Sequence, residues 1–366
     1  MNILLLTTHL NMGGIGIYTV NLARYLNRRG INAGVASGGG DLVRVLDQEG
    51  VKHFELDIRT KAEFGIKSFR SVKRIKDIVR KNNFQIIHSQ TRVTQVAGRI
   101  AGYFCGIPMV TTCHGFFRHR KLSRRLFPCW GNKAIAISRS VQEHLVHDLG
   151  VSESDTKVVY NGIELGKYAE YELHKDRSLL KDLELNGEKP VIGTLGRLSP
   201  VKGYRFLIKA MEILCSKGTD LRLLMIGDGP EKATLERMVS GAGLDGKVVI
   251  TPGGKPLAKY FGLMDVFCMP SVHEGLGLSL MEAMASGRAC IASNIGGLAE
   301  LVIDGFDGSL VPAGDPEALA EAIEALVEDP EERFRYGWNA RAKAMREFSI
   351  EKSVEKTISV YEQVLK

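Results

Sequence analysis

Cysteine is scarce in this chain of 366 residues, with six in all. Cys105, Cys113, Cys129, Cys215, Cys268 and Cys290 include no pair with metal-knuckle or Cys-x-x-Cys spacing. Most lie inside apolar runs, where a reduced thiol packs as a small hydrophobe, so a reducing cytoplasm is expected and a disulfide framework is not. Long apolar runs are missing too. No stretch reaches the ~18 apolar residues that a membrane-spanning helix needs. The start is apolar only over Ile3–Leu6 and lacks the basic leader and length of a signal peptide. There is no low-complexity tract and no repeat of 20–50 residues. The Gly-x-Gly-x-x-Gly dinucleotide fingerprint is also absent: Gly13-Gly14-Ile15-Gly16 has the wrong spacing.

What is present is an ordinary globular composition, 44% hydrophobic and 25% charged. The length suggests two domains. The net charge of +7 is divided unevenly: residues 1–160 hold 24 Lys+Arg against 11 Asp+Glu, and the remainder holds 25 against 31. A basic first half predicts a polyanionic partner, either an anionic membrane surface, a phosphate-bearing acceptor or nucleic acid. Two stretches carry much of that charge. One is Lys67–Lys81. The other is Arg118–Arg125, interleaved with Phe116, Phe117, Leu122, Leu126, Phe127 and Trp130. Cations beside bulky apolar residues suit an interfacial membrane contact, and a solvated helix face is the bland alternative. No nucleic-acid recognition module is recognisable.

Both halves alternate strands with helices. In the first, Ile3–Thr8, Ile31–Ser37, Gln85–Ser89, Met109–His114 and Lys133–Ser138 read as strands. In the second, Val191–Gly196, Leu221–Gly227, Lys247–Thr251, Asp265–Pro270, Ala289–Ser293 and Ser309–Pro312 do so, with helical stretches such as Gly203–Lys217 and Pro230–Ser240 between them. This alternation predicts two doubly wound, mostly parallel α/β domains, with ligands beyond the carboxyl ends of the strands and between the domains. The boundary falls between Asn161-Gly162-Ile163 and about Lys189, with a polar stretch at Tyr171–Arg177. Glu351–Lys366 reads as an amphipathic helix.

The strongest chemical signal runs from Ser271 to Gly287. Gly275 and Gly277 permit a tight backbone bend close to a ligand. A helix then starts near Gly277, and free amides at its start are able to take a phosphate. It is apolar nearly all round and so is predicted to be buried. Glu282 is its one charged residue, and a buried carboxylate is costly unless paired, for which a ligand's vicinal hydroxyls are suited. Glu274, in the loop before it, is placed to accept sugar hydroxyls. Read singly, each glutamate fits a solvated loop acid or a backbone-bonded core residue better; read as a string, they favour a site. A second signal is Gly196-Arg197-Leu-Ser-Pro-Val-Lys202-Gly203, two cations in a strand-to-helix turn. Arginine grips phosphate bidentately and lysine adds a point charge. Such a pair stabilises a diphosphate leaving group without a metal. The loop Asn11–Gly16 is a weaker phosphate- or sugar-approach loop. His114 ends a strand and is suited to bond a substrate hydroxyl, although a satisfied structural histidine is as good a reading. His88 is similar and weaker.

These strings resemble glycosyltransferase family 4, whose fold is GT-B. Glu274-Gly-Leu-Gly-Leu-Ser-Leu-Met-Glu282 is similar to that family's E-x7-E signature, Gly196–Gly203 to its donor-phosphate loop, and Asn161-Gly162-Ile163 to its linker. Gly13-Gly14 and His114 occupy matching places. The resemblance implies two Rossmann-like domains facing each other across a cleft, residues 1–165 and 166–349, with a last helix at about 350–366 crossing back to the first. It implies a retaining hexosyl transfer from a nucleotide-diphosphate sugar, with no metal and no cofactor. Arg197, Lys202, Gly14, Gly277 and Leu278 are then expected at the donor diphosphate. Glu274, Gly275, Leu276 and His114 are expected at the transferred sugar, with Glu274 and His114 as the catalytic pair, and Glu282 at the ribose. One departure is Gly287-Arg288-Ala289, where the family carries a proline, and it is expected to affect the start of a strand more than the chemistry.

The leading expectation is a cytoplasmic transferase, peripheral at the cytoplasmic face of the membrane. It uses a UDP-sugar and a carbohydrate or lipid-linked acceptor in lipopolysaccharide, glycolipid or surface-polysaccharide synthesis. Another GT-B enzyme, such as a nucleotide-sugar epimerase, and a non-catalytic sugar-nucleotide or membrane-binding partner are the alternatives. No nucleic acid is expected.

Overall fold

The computed structural model describes residues 1–60, 62–117, 127–169, 176–185, 189–253 and 256–366. They form two compact units, Met1–Gly162 with Ile350–Lys366, and Ile163–Ser349.

The first unit is built on seven parallel strands: β1 (Asn2–Leu6), β2 (Asn32–Ser37), β3 (His53–Glu55), β4 (Ile86–Ser89), β5 (Met109–Cys113), β6 (Lys133–Ala136) and β7 (Thr156–Val158). Their spatial order is β3-β2-β1-β4-β5-β6-β7. Apolar β1 shows why the sheet is covered on both sides. Ile3 and Leu5 point into one hydrophobic cluster, while Leu4 and Leu6 point into the other. A strand buried on both faces reads as a continuous apolar run because successive side chains alternate between faces. Helices Gly14–Arg28 and Ile350–Leu365 pack side by side over the first cluster. Helices Ile66–Lys81 and Arg92–Cys105 pair over the second. The terminal helix buries Ile350, Val354, Thr357 and Tyr361, the spacing of one helical stripe. Its Ser353 hydroxyl donates to Tyr160 O at 2.8 Å.

The second unit has six parallel strands: β8 (Val191–Leu195), β9 (Arg222–Ile226), β10 (Val248–Thr251), β11 (Val266–Met269), β12 (Ala289–Ser293) and β13 (Ser309–Val311). Their order is β10-β9-β8-β11-β12-β13. Both sheets are doubly wound: the order reverses between β1 and β4 in one, and between β8 and β11 in the other. A crevice forms at such a switch point because the chain leaves the two adjoining strands in opposite directions.

The expected strands are all present, most ending one or two residues short of the sequence reading. Two strands are new. β3 and β7 are three-residue edge strands, too short and polar to show a pattern. The shorter ends matter at His114, the first residue past its strand; Gly196, also one residue past its strand, still donates its backbone N–H to Ile226 O at 2.9 Å. The missing proline has a local replacement. Arg288 donates from Nη1 to Met264 O and from Nε to Ser286 O, both at 3.0 Å, which fixes the approach to β12. The segment Arg118–Arg125 and residues 171–175 lie outside the described residues. All six cysteines are free thiols.

Candidate functional site

The second unit gathers its candidates at the β8/β11 switch point. Past β8 the chain turns through Gly196 and exposed Arg197, buries Leu198, and makes one short turn at Pro200–Lys202 before helix Tyr204–Ser216. Gly203 sits at φ 67°, and a Cβ there would lie 1.9 Å from Pro270 O. Only glycine allows both that conformation and that approach. The two loops are also tied by Val272 N donating to Val201 O at 2.9 Å. The result is an ion pair between the two strongest motifs: Lys202 Nζ lies 2.5 Å from Glu274 Oε2, with both side chains about four-fifths buried. Ser271 Oγ is 3.5 Å from the same oxygen. The ammonium and carboxylate neutralise each other, and Arg197 has no partner among the described residues. The loop pair therefore keeps one net positive charge open to an anion.

Past Glu274 the chain buries Gly275, Leu276 and Gly277 and enters helix Leu278–Ala285. Gly277 is at φ 100°, and a Cβ there would meet Leu298 at 2.6 Å. The first amides of this helix have no intrahelical acceptor and follow shortly after Glu274 in sequence. Glu282, expected to be buried, is half-buried and belongs to a different cluster. Tyr168, from the short helix Gly166–Ala169, hydrogen-bonds its carboxylate. Burial pushes the Glu282 pKa up to about 7, against the opposing pull of Tyr168 and Lys167. Burial also raises the Tyr168 hydroxyl well above the usual phenol range, with the Glu282 charge adding to it. The structure thus joins Lys202 to Glu274, leaves Arg197 exposed, and sets Glu282 with Tyr168.

In the first unit the candidates stand at the carboxyl ends of β1, β4 and β5. Helix Gly14–Arg28 starts at the glycine loop, with Gly13 as its N-cap and no acid in its first turn. Its Tyr18 ring meets His114 edge-on, 4.9 Å between centroids. His114 Nε2 is 2.9 Å from Gln90 Oε1. Burial pushes the His114 pKa down to about 3, so the imidazole is neutral. His88 has a different place. It is fully buried, with Nδ1 2.6 Å from the Tyr361 hydroxyl and Nε2 2.7 Å from Thr112 Oγ1. It is a satisfied core histidine that anchors the terminal helix. Tyr168 and Gln90 escaped the sequence reading. Tyr168 lay in a segment read as linker, its one visible signal being an isolated aromatic there. Gln90 directly follows His88-Ser89, but one glutamine carries no pattern.

Helix Ile66–Lys81 turns Val72, Ile75, Ile78 and Val79 inward and exposes Lys67, Arg70, Lys73 and Arg74 with Ile66 and Phe69. Exposed Tyr103 and Phe104 flank it on the neighbouring helix, with Lys76 Nζ 4.6 Å from the Phe104 ring centre. Among the described residues no helix is long and apolar enough to cross a membrane, and no group of three His, Cys, Asp or Glu is arranged to hold a metal ion.

Comparison with known proteins divides the chain in the same way. Residues 12–167 match Glycosyltransferase Family 4, and residues 176–343 match Glycosyl transferases group 1. The chain is 29% identical to an alpha-maltose-1-phosphate synthase of Mycolicibacterium smegmatis, over 76% of this chain and 79% of that protein. It is 27% identical to a UDP-Gal:alpha-D-GlcNAc-diphosphoundecaprenol alpha-1,3-galactosyltransferase of Escherichia coli, over 81% and 80%. In fold it is similar to the Anabaena protein HepE, solved in complex with UDP and glucose. The TM-score is 0.85 at 23% identity, with 99% of each chain covered.

Proposed function

This chain belongs to glycosyltransferase family 4 and has the GT-B fold, and from that membership we propose a retaining, metal-independent transfer of a hexosyl unit from a UDP-sugar to an acceptor hydroxyl in glycolipid or surface-polysaccharide synthesis. The bond from the anomeric carbon to the diphosphate breaks, a bond to the acceptor oxygen forms, and the nucleoside diphosphate leaves with the acceptor hydroxyl's proton. The observation that carries the reading is the meeting of Lys202 and Glu274 at the β8/β11 switch point, beside an open Arg197. A diphosphate leaving group develops negative charge, and two cations preorganised around it lower that cost. Glu274, once its lysine turns to phosphate, is freed to accept hydroxyls of the transferred sugar. Glu282 is assigned to the ribose diol, and the amides at Gly277 and Leu278 to the diphosphate. Gly14 and His114 are the first unit's candidates. The UDP preference is supported by the E. coli relative's name and by the UDP in the HepE complex. The acceptor is assigned to the membrane face because the basic, aromatic-flanked helix Ile66–Lys81 suits an anionic lipid surface.

The test is thermal protection across UDP-, GDP- and ADP-sugars. A UDP-sugar is expected to raise the melting temperature, in chelator as well as in magnesium, through the stabilisation that follows ligand binding to the folded state. Arg197→Ala and Lys202→Ala should each weaken donor binding about tenfold or more, the worth of a charge-assisted hydrogen bond. Protection by GDP- or ADP-sugars alone would overturn the base assignment, and loss of binding in chelator would overturn the metal-free reading.

A further inference from the structure

Gln90 and His114 leave adjacent parallel strands, β4 and β5, which are in register through Ser89 and Thr111. Gln90 is 2% exposed, and its backbone N–H is held by Leu6 O at 2.8 Å. Its amide oxygen faces His114 Nε2 at 2.9 Å. Its amide nitrogen is buried and has no partner among the described residues, so the contact with His114 is the side chain's one hydrogen bond among them. On the other side the Tyr18 ring closes edge-on against the imidazole. His114 Nδ1 has no hydrogen-bond partner among the described residues.

We propose that Gln90 is a positioning residue for His114, its amide oxygen holding the Nε2–H tautomer so that the Nδ1 lone pair accepts a hydrogen bond from a carbohydrate hydroxyl. This rests on the reading of His114 as a sugar-contacting group. A neutral imidazole has one N–H and one lone pair, so fixing one nitrogen fixes the other's role. The consequence is chemical selectivity. Carboxylate and phosphate oxygens offer lone pairs alone and cannot pair with Nδ1. A hydroxyl can donate to it. The neighbouring ionisable groups do not disturb this state: Tyr18 is un-ionised and His88 is neutral, both held so by burial.

The experiment is nitrogen NMR of ring-labelled histidine in the full chain, with the His114 signals assigned by their loss in His114→Asn. It is paired with sugar-transfer kinetics. The wild type is expected to show the Nε2–H tautomer. Gln90→Leu should lose that preference and lower kcat/KM about tenfold, the worth of roughly one hydrogen bond, with its melting temperature recorded as the check on folding. Gln90→Glu should restore both tautomer and activity at neutral pH. It should also add an acidic limb to the pH profile, because a carboxylate beside the ring raises its pKa. An Nδ1–H tautomer in the wild type overturns the proposal, as does a folded Gln90→Leu with unchanged tautomer and kcat/KM. If Gln90→Leu fails to fold, the wild-type spectrum and Gln90→Glu decide. A fully active His114→Asn with the wild-type tautomer as stated overturns the reading of His114 itself and, with it, the use made of the lone pair; the Gln90–His114 bond would stand.

Discussion

Glu274 and Glu282 belong to one short motif, yet folding gives them different partners. Glu274 is paired with Lys202, whose Nζ lies 2.5 Å from its Oε2. Glu282 is half-buried and hydrogen-bonds the buried Tyr168 hydroxyl; burial raises its pKa to about 7 against the pull of that bond. The sign of the linkage follows. A folded-state pKa above the ordinary carboxylate value favours the folded protein while the group is protonated in both states, and that contribution is lost as pH rises from about 4.5 to about 7. Ribose hydroxyls would donate to the ionised form, so donor binding should tighten as pH rises through 7 and should release a proton below it. Donor affinity titrated between pH 5.5 and 8.5 checks this, with Glu282→Gln expected to flatten the profile and weaken binding. An unchanged slope in that variant would move the titration to another group. The roles of Tyr168 and Gln90 were not legible in the sequence, because a single neutral side chain gains its meaning from the partner that folding brings to it.

At the scale of elements, the legible parts were those whose pattern follows from burial. β1 and β8, buried on both faces, read directly from their apolar runs. The Gly203 and Gly277 turns read from glycine beside a strand end. β3 and β7 did not, since a three-residue edge strand is defined by its neighbour's free hydrogen bonds and not by its own composition. The helix Ile66–Lys81 was legible as a charge run, but which side faces water was not. The structure settles it: Ile66 and Phe69 stand out among the cations, with Tyr103 and Phe104 alongside. Each lysine or arginine near an anionic leaflet contributes about 1 kcal/mol. Sedimentation with phosphatidylglycerol vesicles should therefore carry the protein down, and phosphatidylcholine vesicles should not. Phe69→Ser with Tyr103→Ser should weaken the binding severalfold without changing donor protection. Equal binding of wild type and variant would place the lipid contact elsewhere.

At the scale of the whole molecule, the uneven charge acquires a physical sense. The basic half carries the exposed cationic helix, and the more acidic half carries a site whose few cations are spent locally on Arg197 and Lys202. Each unit has its own switch point, β1/β4 with Gly14, Gln90 and His114 nearby, and β8/β11 with Lys202 and Glu274 in contact. The family resemblance pointed in advance to Gly14, His114, Lys202 and Glu274, and not to Gln90. What the structure added is that Lys202 and Glu274 hold one another, and that Glu282 has a tyrosine partner. The most direct measurement is transfer of labelled sugar from a UDP-sugar to a membrane-extracted acceptor, comparing wild type with Glu274→Ala after the variant's fold is verified by melting. The expected result is chelator-resistant transfer by the wild type and a loss of about 10²- to 10³-fold in the variant, the scale for removing one preorganised polar group from a transition-state site. Equal transfer by the two proteins would contradict the assignment of this site to the chemistry.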